Sequence, residues 1–88
     1  METGTFYVYI LASGRHGALA IGVTDDLKRR VAEHRGDRAR ALVHYEPFLD
    51  AASAVTREKQ LKYWHRAWKL RLIEETNPDW YDLSADLP

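Results

Sequence analysis

Apolar and polar positions alternate along 5–11 (TFYVYIL) and again along 18–23 (ALAIGV), and the connector between them holds Gly14 and Gly17. Period-two alternation on both sides of a glycine-bearing connector predicts a β-hairpin over roughly 5–23, closed by a loop rather than a tight two-residue turn. The pattern then becomes helical. Leu27, Val31 and His34 recur at helical spacing behind Thr24-Asp25-Asp26, which offers an N-cap and negative charge for a first turn. The predicted helix covers about 25–35 and ends near Gly36. Ala41–Phe48 (ALVHYEPF) reads as a third strand with Pro47 at its end or edge, which makes the sheet three-stranded. Asp50 can cap a second helix that starts AASAVTREKQL. From Tyr63 the stripe of Trp64, Trp68 and Leu72 repeats at four-residue spacing, as core-facing aromatics do. No Gly or Pro interrupts 51–75, so either one long helix spans it or two meet near Tyr63–Arg66. Asn77-Pro78 stops the helix, and the tail DWYDLSADLP is expected to lay Trp80 and Leu83 back on the domain.

Strand alternation sorts the hairpin onto two faces. Phe6, Val8 and Ile10 share one with Leu19, Ile21 and Val23, a core-facing surface. Tyr7, Tyr9 and Leu11 share the other with Ala18, Ala20 and Gly22, so two phenols stand beside a row of very small residues. Two readings fit. The tyrosines are half-buried strand residues whose crowding the glycine relieves, or the hollow and the following Lys28-Arg29-Arg30 seat a phosphate group.

Composition changes this picture little. Eighty-eight residues, 45% hydrophobic and 30% charged, suit one soluble domain over 1–88 with its own core. Cysteine is absent, which excludes disulfides and thiolate zinc sites. No apolar run has transmembrane length and no basic-then-apolar leader opens the chain, so no membrane is expected and the cytoplasm is the expected compartment. The formal charge is zero, yet its distribution is uneven. Six Lys/Arg against two acids fall within Lys28–Arg40 and six against one within Arg57–Arg71, while five acids and no base follow from Glu74. Such asymmetry can present a basic face to a polyanion, or be a solvated helix surface. Glu58 is the oddity of the second helix. It falls on the stripe of Ala51, Ala54, Val55, Leu61 and Lys62, where a carboxylate is costly unless a basic side chain or a metal ion pairs with it.

Read in order, FYVYIL, IGVTDDLKRRVAEH, VHYEPF, REKQLKYW and NPDWYDL resemble the successive segments of the GIY-YIG nuclease superfamily, in particular its small stand-alone bacterial members. The resemblance spans nearly the whole chain and implies an α+β fold, a three-stranded antiparallel sheet flanked by helices. It further implies a metal-dependent endonuclease that hydrolyses DNA phosphodiester bonds with low sequence specificity, in DNA repair or recombination. Carried over by position, Tyr9 matches the tyrosine beside the attacking water, Arg30 the arginine on the scissile phosphate, and His34 a histidine in proton traffic. Glu58 matches the glutamate that holds a single Mg²⁺ or Mn²⁺, and Gly22 the glycine that lets backbone and phosphate approach. Asn77 matches a polar residue that some members place late in the site. Around these, Tyr7, Arg29, Arg35, Arg38 and Arg40 are the expected substrate contacts.

The chemistry is consistent with those residue types. Phosphodiester hydrolysis needs a positioned nucleophile, neutralised non-bridging oxygens and help for the leaving oxygen. Arginine donates two parallel hydrogen bonds to phosphate, and a site with one carboxylate suits a hard dication that keeps its waters. The chain departs from the family pattern twice. Ala20 stands where the second motif tyrosine is expected, and the segment 35–41 between first helix and third strand is short. Both departures motivate an alternative, a catalytically weakened nucleic-acid-binding module.

Overall fold

The computed structural model describes residues 4–37 and 40–87. Three strands, β1 (Phe6–Ala12), β2 (Leu19–Thr24) and β3 (Ala41–Phe48), form one antiparallel sheet in the order β2-β1-β3. Helix α1 (Leu27–Asp37) lies between β2 and β3 in the chain, and α2 (Ala51–Tyr63), α3 (Arg66–Thr76) and a 3₁₀ turn at Leu83–Asp86 follow β3. The α+β expectation holds, with the most apolar strand at the centre and buried on both sides.

The hairpin register bears out the face assignment: Val8 pairs with Val23 and Ile10 with Ile21, while Tyr9 pairs with Gly22 and Leu11 with Ala20. Each face is then covered. On one, Leu27 and Val31 of α1 pack with Tyr9, Leu11 and Leu42. On the other, Ala54 and Leu61 of α2 pack with Val8, and Ile73 of α3 packs with Ile10, Ala12 and Val43. The tyrosine face is therefore a second core, not an open hollow.

A β-bulge between β1 and β3 sets the rest. Ile10 pairs with His44 but Leu11 with Leu42, leaving Val43 as the extra residue. It lets Leu42 and Tyr45 both pack toward α1 while Val43 and His44 point to the opposite face.

The caps form as expected. Asp26 Oδ1 accepts the Arg29 N–H at 3.2 Å, and Asp50 Oδ1 accepts the Ser53 N–H at 2.7 Å. The choice between one long helix and two resolves as two: Trp64 and His65 are both extended, with ψ near 148° and 147°. The tail does fold back, and it wraps around the β3 edge. Trp80 is buried on the α3 side, Asp82 accepts the Leu42 N–H at 3.2 Å, and Leu83 and Leu87 pack on the α1 side. Among the described residues no helix is long and apolar enough to cross a membrane.

Candidate active site

Tyr9 stands on the central strand, only 3% exposed, and its ring lies across Gly22 on β2. A Cβ at position 22 would fall 2.7 Å from Tyr9 Cζ and closer still to the hydroxyl. The room that Gly22 leaves is thus filled by the phenol rather than kept for a phosphate, a correction to the role expected of that glycine. Gly22→Ala should cost about 1–3 kcal/mol of stability, the usual range for overpacking. In a Tyr9→Leu background the cost should largely vanish. Chemical denaturation of the four proteins tests this, and an equal cost in both backgrounds would place the conflict in the backbone instead.

The phenol oxygen emerges at α1, where Arg30 Nε donates to it at 3.0 Å. This hydrogen bond is the main reason that the guanidinium pKa is raised above its ordinary value. Arg30 Nη1 lies 3.3 Å from Glu33 Oε1, and Arg29 Nε lies 3.4 Å from the other oxygen, so one carboxylate bridges two arginines. Arg29, Arg30 and Glu33 border a cleft of about 100 Å³ with Val23, Thr24 and Asp26. His34 sits one turn after Arg30, its ring 6.3 Å from that of Tyr9. Three of the expected residues, Tyr9, Arg30 and His34, therefore meet on one side of the sheet.

Glu58 does not join them by contact. It lies on α2, across the sheet from α1, with a side chain 17% exposed and Oε2 held by Lys62 Nζ at 2.9 Å. Among the described residues no three carboxylate or imidazole side chains cluster to enclose a metal ion. Tyr7 is half-buried and packs edge-on against Tyr45 at 6.0 Å, beside a shallow cleft lined by Asp25, Asp26, Leu27, Lys28 and Leu87. Arg40 is half-buried just ahead of β3. Arg38 and the side chain of Arg35 lie outside the described residues.

Asn77 belongs to the framework rather than to the site. It is 3% exposed, its amide donates to the carbonyls of Val43 and Tyr81, and its oxygen accepts the Tyr81 N–H at 3.0 Å. It ties the end of α3 to β3 and the tail.

Sequence reasoning missed a polar cluster on the α2 face of β3. Arg57 Nε and Nη2 donate to the two oxygens of Glu46 at 2.8 and 3.1 Å, and His44 Nε2 lies 2.8 Å from Glu46 Oε2. Burial by itself would raise the Glu46 pKa, but the hydrogen bonds and charges of His44 and Arg57 overcome it and hold it at about 2. The signal in the sequence is Arg57 next to Glu58 on the second helix, with His44 and Glu46 two apart on the third strand.

No protein-family model matches the chain. It is 37% identical over 78 residues to a UPF0213 protein of Haloquadratum walsbyi, a match covering 78% of this chain and 86% of the relative. It is 29% identical over 89 residues to a UPF0213 protein of Lacticaseibacillus paracasei, covering 91% of this chain and 99% of the relative. Among solved structures, the solution NMR structure of a UPF0213 protein from Bacillus halodurans aligns with TM-score 0.60 and 25% identity, over 89% of this chain and 92% of that one.

Proposed function

The chain belongs to the UPF0213 family, and on that premise we propose that it is a metal-dependent endonuclease of the GIY-YIG type, acting on DNA phosphodiester bonds with little sequence preference. The observation that carries this reading is the 3.0 Å hydrogen bond from Arg30 Nε to the Tyr9 hydroxyl over Gly22. It joins the residues of three separate motif segments in one arrangement that packing alone does not demand. A phenol in a core can be satisfied by water or a carbonyl, whereas here a half-exposed guanidinium turns to it.

The arrangement divides the labour of hydrolysis. Arg30 spends Nε on Tyr9, which fixes the plane of the guanidinium, and its Nη1 donates to Glu33. A phosphate displacing Glu33 would meet both Arg29 and Arg30, and would gain charge neutralisation on its non-bridging oxygens. Tyr9 has one lone pair engaged by Arg30, so its hydroxyl oxygen is held in place to assist the attacking water. His34, on the same helix face, is the group available to carry protons to and from that centre.

Glu58 is the residue that would hold one hard dication. Lys62 takes Oε2 of Glu58, Oε1 stands outside that pair, and a single carboxylate ligand suits an ion that keeps most of its waters. Magnesium or manganese bound there would polarise a phosphate oxygen.

The test is cleavage of plasmid, single-stranded and branched DNA with Mg²⁺ or Mn²⁺, with Glu58→Ala as control. The native protein should cut and both Glu58→Ala and EDTA should reduce cutting at least about 100-fold. Cutting that survives Glu58→Ala would remove the metal role from that residue. Retained DNA binding with no cutting would favour the weakened binding module, for which Ala20 is the specific motive: it packs as a small residue against the α1-side core and provides no phenol.

A further inference from the structure

A groove of about 360 Å³ lies on the sheet face opposite α1 and is lined by Arg57, Trp64, Trp68, Arg71, Leu72 and Glu75. It is not part of the Tyr9–Arg30 arrangement. Arg57 reaches Glu46 on β3, whereas Tyr9 rests on Gly22 of β2, the other edge strand.

The break at Trp64–His65 builds it. By turning α3 away from α2 it brings the Trp64 and Trp68 rings edge-to-face at 6.1 Å. Trp64 is occupied: it packs against the core of Val8, Ala54 and Leu61, and the Arg57 guanidinium sits 5.1 Å over its ring. Trp68 is not. It remains 51% exposed at the groove wall, with His65 against it at 5.4 Å. An indole left this open beside a concavity offers a ring face to a ligand.

The charge around it selects the partner. Of the bases on α2 and α3, Arg57 and Lys62 are paired with Glu46 and Glu58. Among the described residues Lys59, Arg66, Lys69 and Arg71 pair with no carboxylate, and of these four Arg71 lines the groove, while Arg66 reaches the His16 and Gly17 carbonyls and Lys69 that of Lys62. The surface is thus aromatic and cationic together, which suits a base on its phosphate backbone and not an apolar peptide. Glu75, the one carboxylate on the rim, can accept from the ring N–H or exocyclic amine of a base.

We propose that this groove holds an unpaired nucleobase of a single-stranded polynucleotide, stacked on Trp68, with Arg71 on the adjoining phosphate. Bases within a duplex are stacked on each other and cannot enter, so the groove discriminates single from double strands. The inference rests on polynucleotides being the ligand of this protein, as in the reading above, but not on cleavage.

The experiment measures anisotropy of a fluorescein-labelled oligothymidylate about 12 nucleotides long, and of a duplex of the same length, in EDTA so that turnover does not intrude. Trp68→Ala should weaken oligothymidylate binding about tenfold and Trp68→Phe, which keeps a stacking face, only about twofold. Duplex binding should not change. Arg71→Ala should reduce the salt slope by about one. Trp68 is half exposed, so both variants should melt as the native protein does. The inference is overturned if the native protein does not bind oligothymidylate, if Trp68→Ala binds it as well as native, or if the duplex is weakened equally; an apolar peptide as the true occupant would give the second result. Oligothymidylate binding through Trp68 without cleavage would keep this inference and end the hydrolase reading, and cleavage indifferent to Trp68 would do the reverse.

Discussion

Arg30→Lys should lower DNA cleavage at least about 100-fold, the scale on which removal of one preorganised donor acts, with no more than about a 4 °C change in melting temperature. Charge is kept in this substitution, so the loss would isolate geometry. Arg30 is half exposed and packs little, which is why stability should not follow activity. A lysine ammonium is a point charge on a flexible stem. It can sit near the Tyr9 oxygen or near a phosphate, but it cannot donate to the first from an inner nitrogen while offering a planar fork to the second. Tyr9→Phe completes the argument. If the phenol acts by holding the guanidinium as well as by assisting water, the two substitutions together should cost less than the product of their separate effects. Retention of more than about a tenth of native cleavage by Arg30→Lys would show that charge alone suffices, and the Nε bond would lose its meaning.

That bond was partly legible in the sequence. Alternation puts Tyr9 and Gly22 on one strand face, and four-residue spacing puts Arg30 and His34 on one helix face. Both are local periodicities that the backbone obeys. What joins the two faces is packing: Leu27 and Val31 bring α1 down on the sheet, and only then does Arg30 meet the phenol. The same periodicity left open whether the hollow beside Tyr9 would stay empty. Leu11, Leu42, Tyr45 and the returning Leu83 and Leu87 fill it, four of them from segments distant in sequence.

Two features had no local signature. The break at Trp64–His65 contains neither glycine nor proline; it is set by Trp64 docking among Val8, Ala54 and Leu61 beneath Arg57, a tertiary cause. Counting by fours across it therefore misplaces Trp68, which is exposed where the stripe predicted core. The bulge at Val43 is likewise silent. Strict alternation would set Leu42, His44 and Glu46 on one face, but the extra residue sends Leu42 toward α1 and leaves the other two facing α2. A one-residue shift of this kind exchanges which side chains meet.

The consequence of that bulge is the second large effect expected. Glu46→Ala should destabilise the fold by about 3 kcal/mol near pH 7, a fall of roughly 15 °C in melting temperature for a domain of this size. The substitution does more than delete a pair: it strands the Arg57 guanidinium and the buried His44 ring without their shared acceptor. Breaking a buried pair from one side costs more than never having built it. The effect carries a pH signature. Glu46 ionises at about 2 in the folded chain against 4.5 as a free side chain, so between these values the unfolded state binds more protons. The stability that the carboxylate contributes is complete above about pH 4.5 and is lost as pH falls through about 2. Denaturant titrations of native protein and Glu46→Gln should thus run parallel from pH 7 to pH 5 and converge toward pH 2. A gap that stays constant down to pH 2 would mean that shape and hydrogen bonding, not the charge on Glu46, hold Arg57 in place. In that case the cation over Trp64, and with it the floor of the Trp68 groove, would have to be anchored by packing alone.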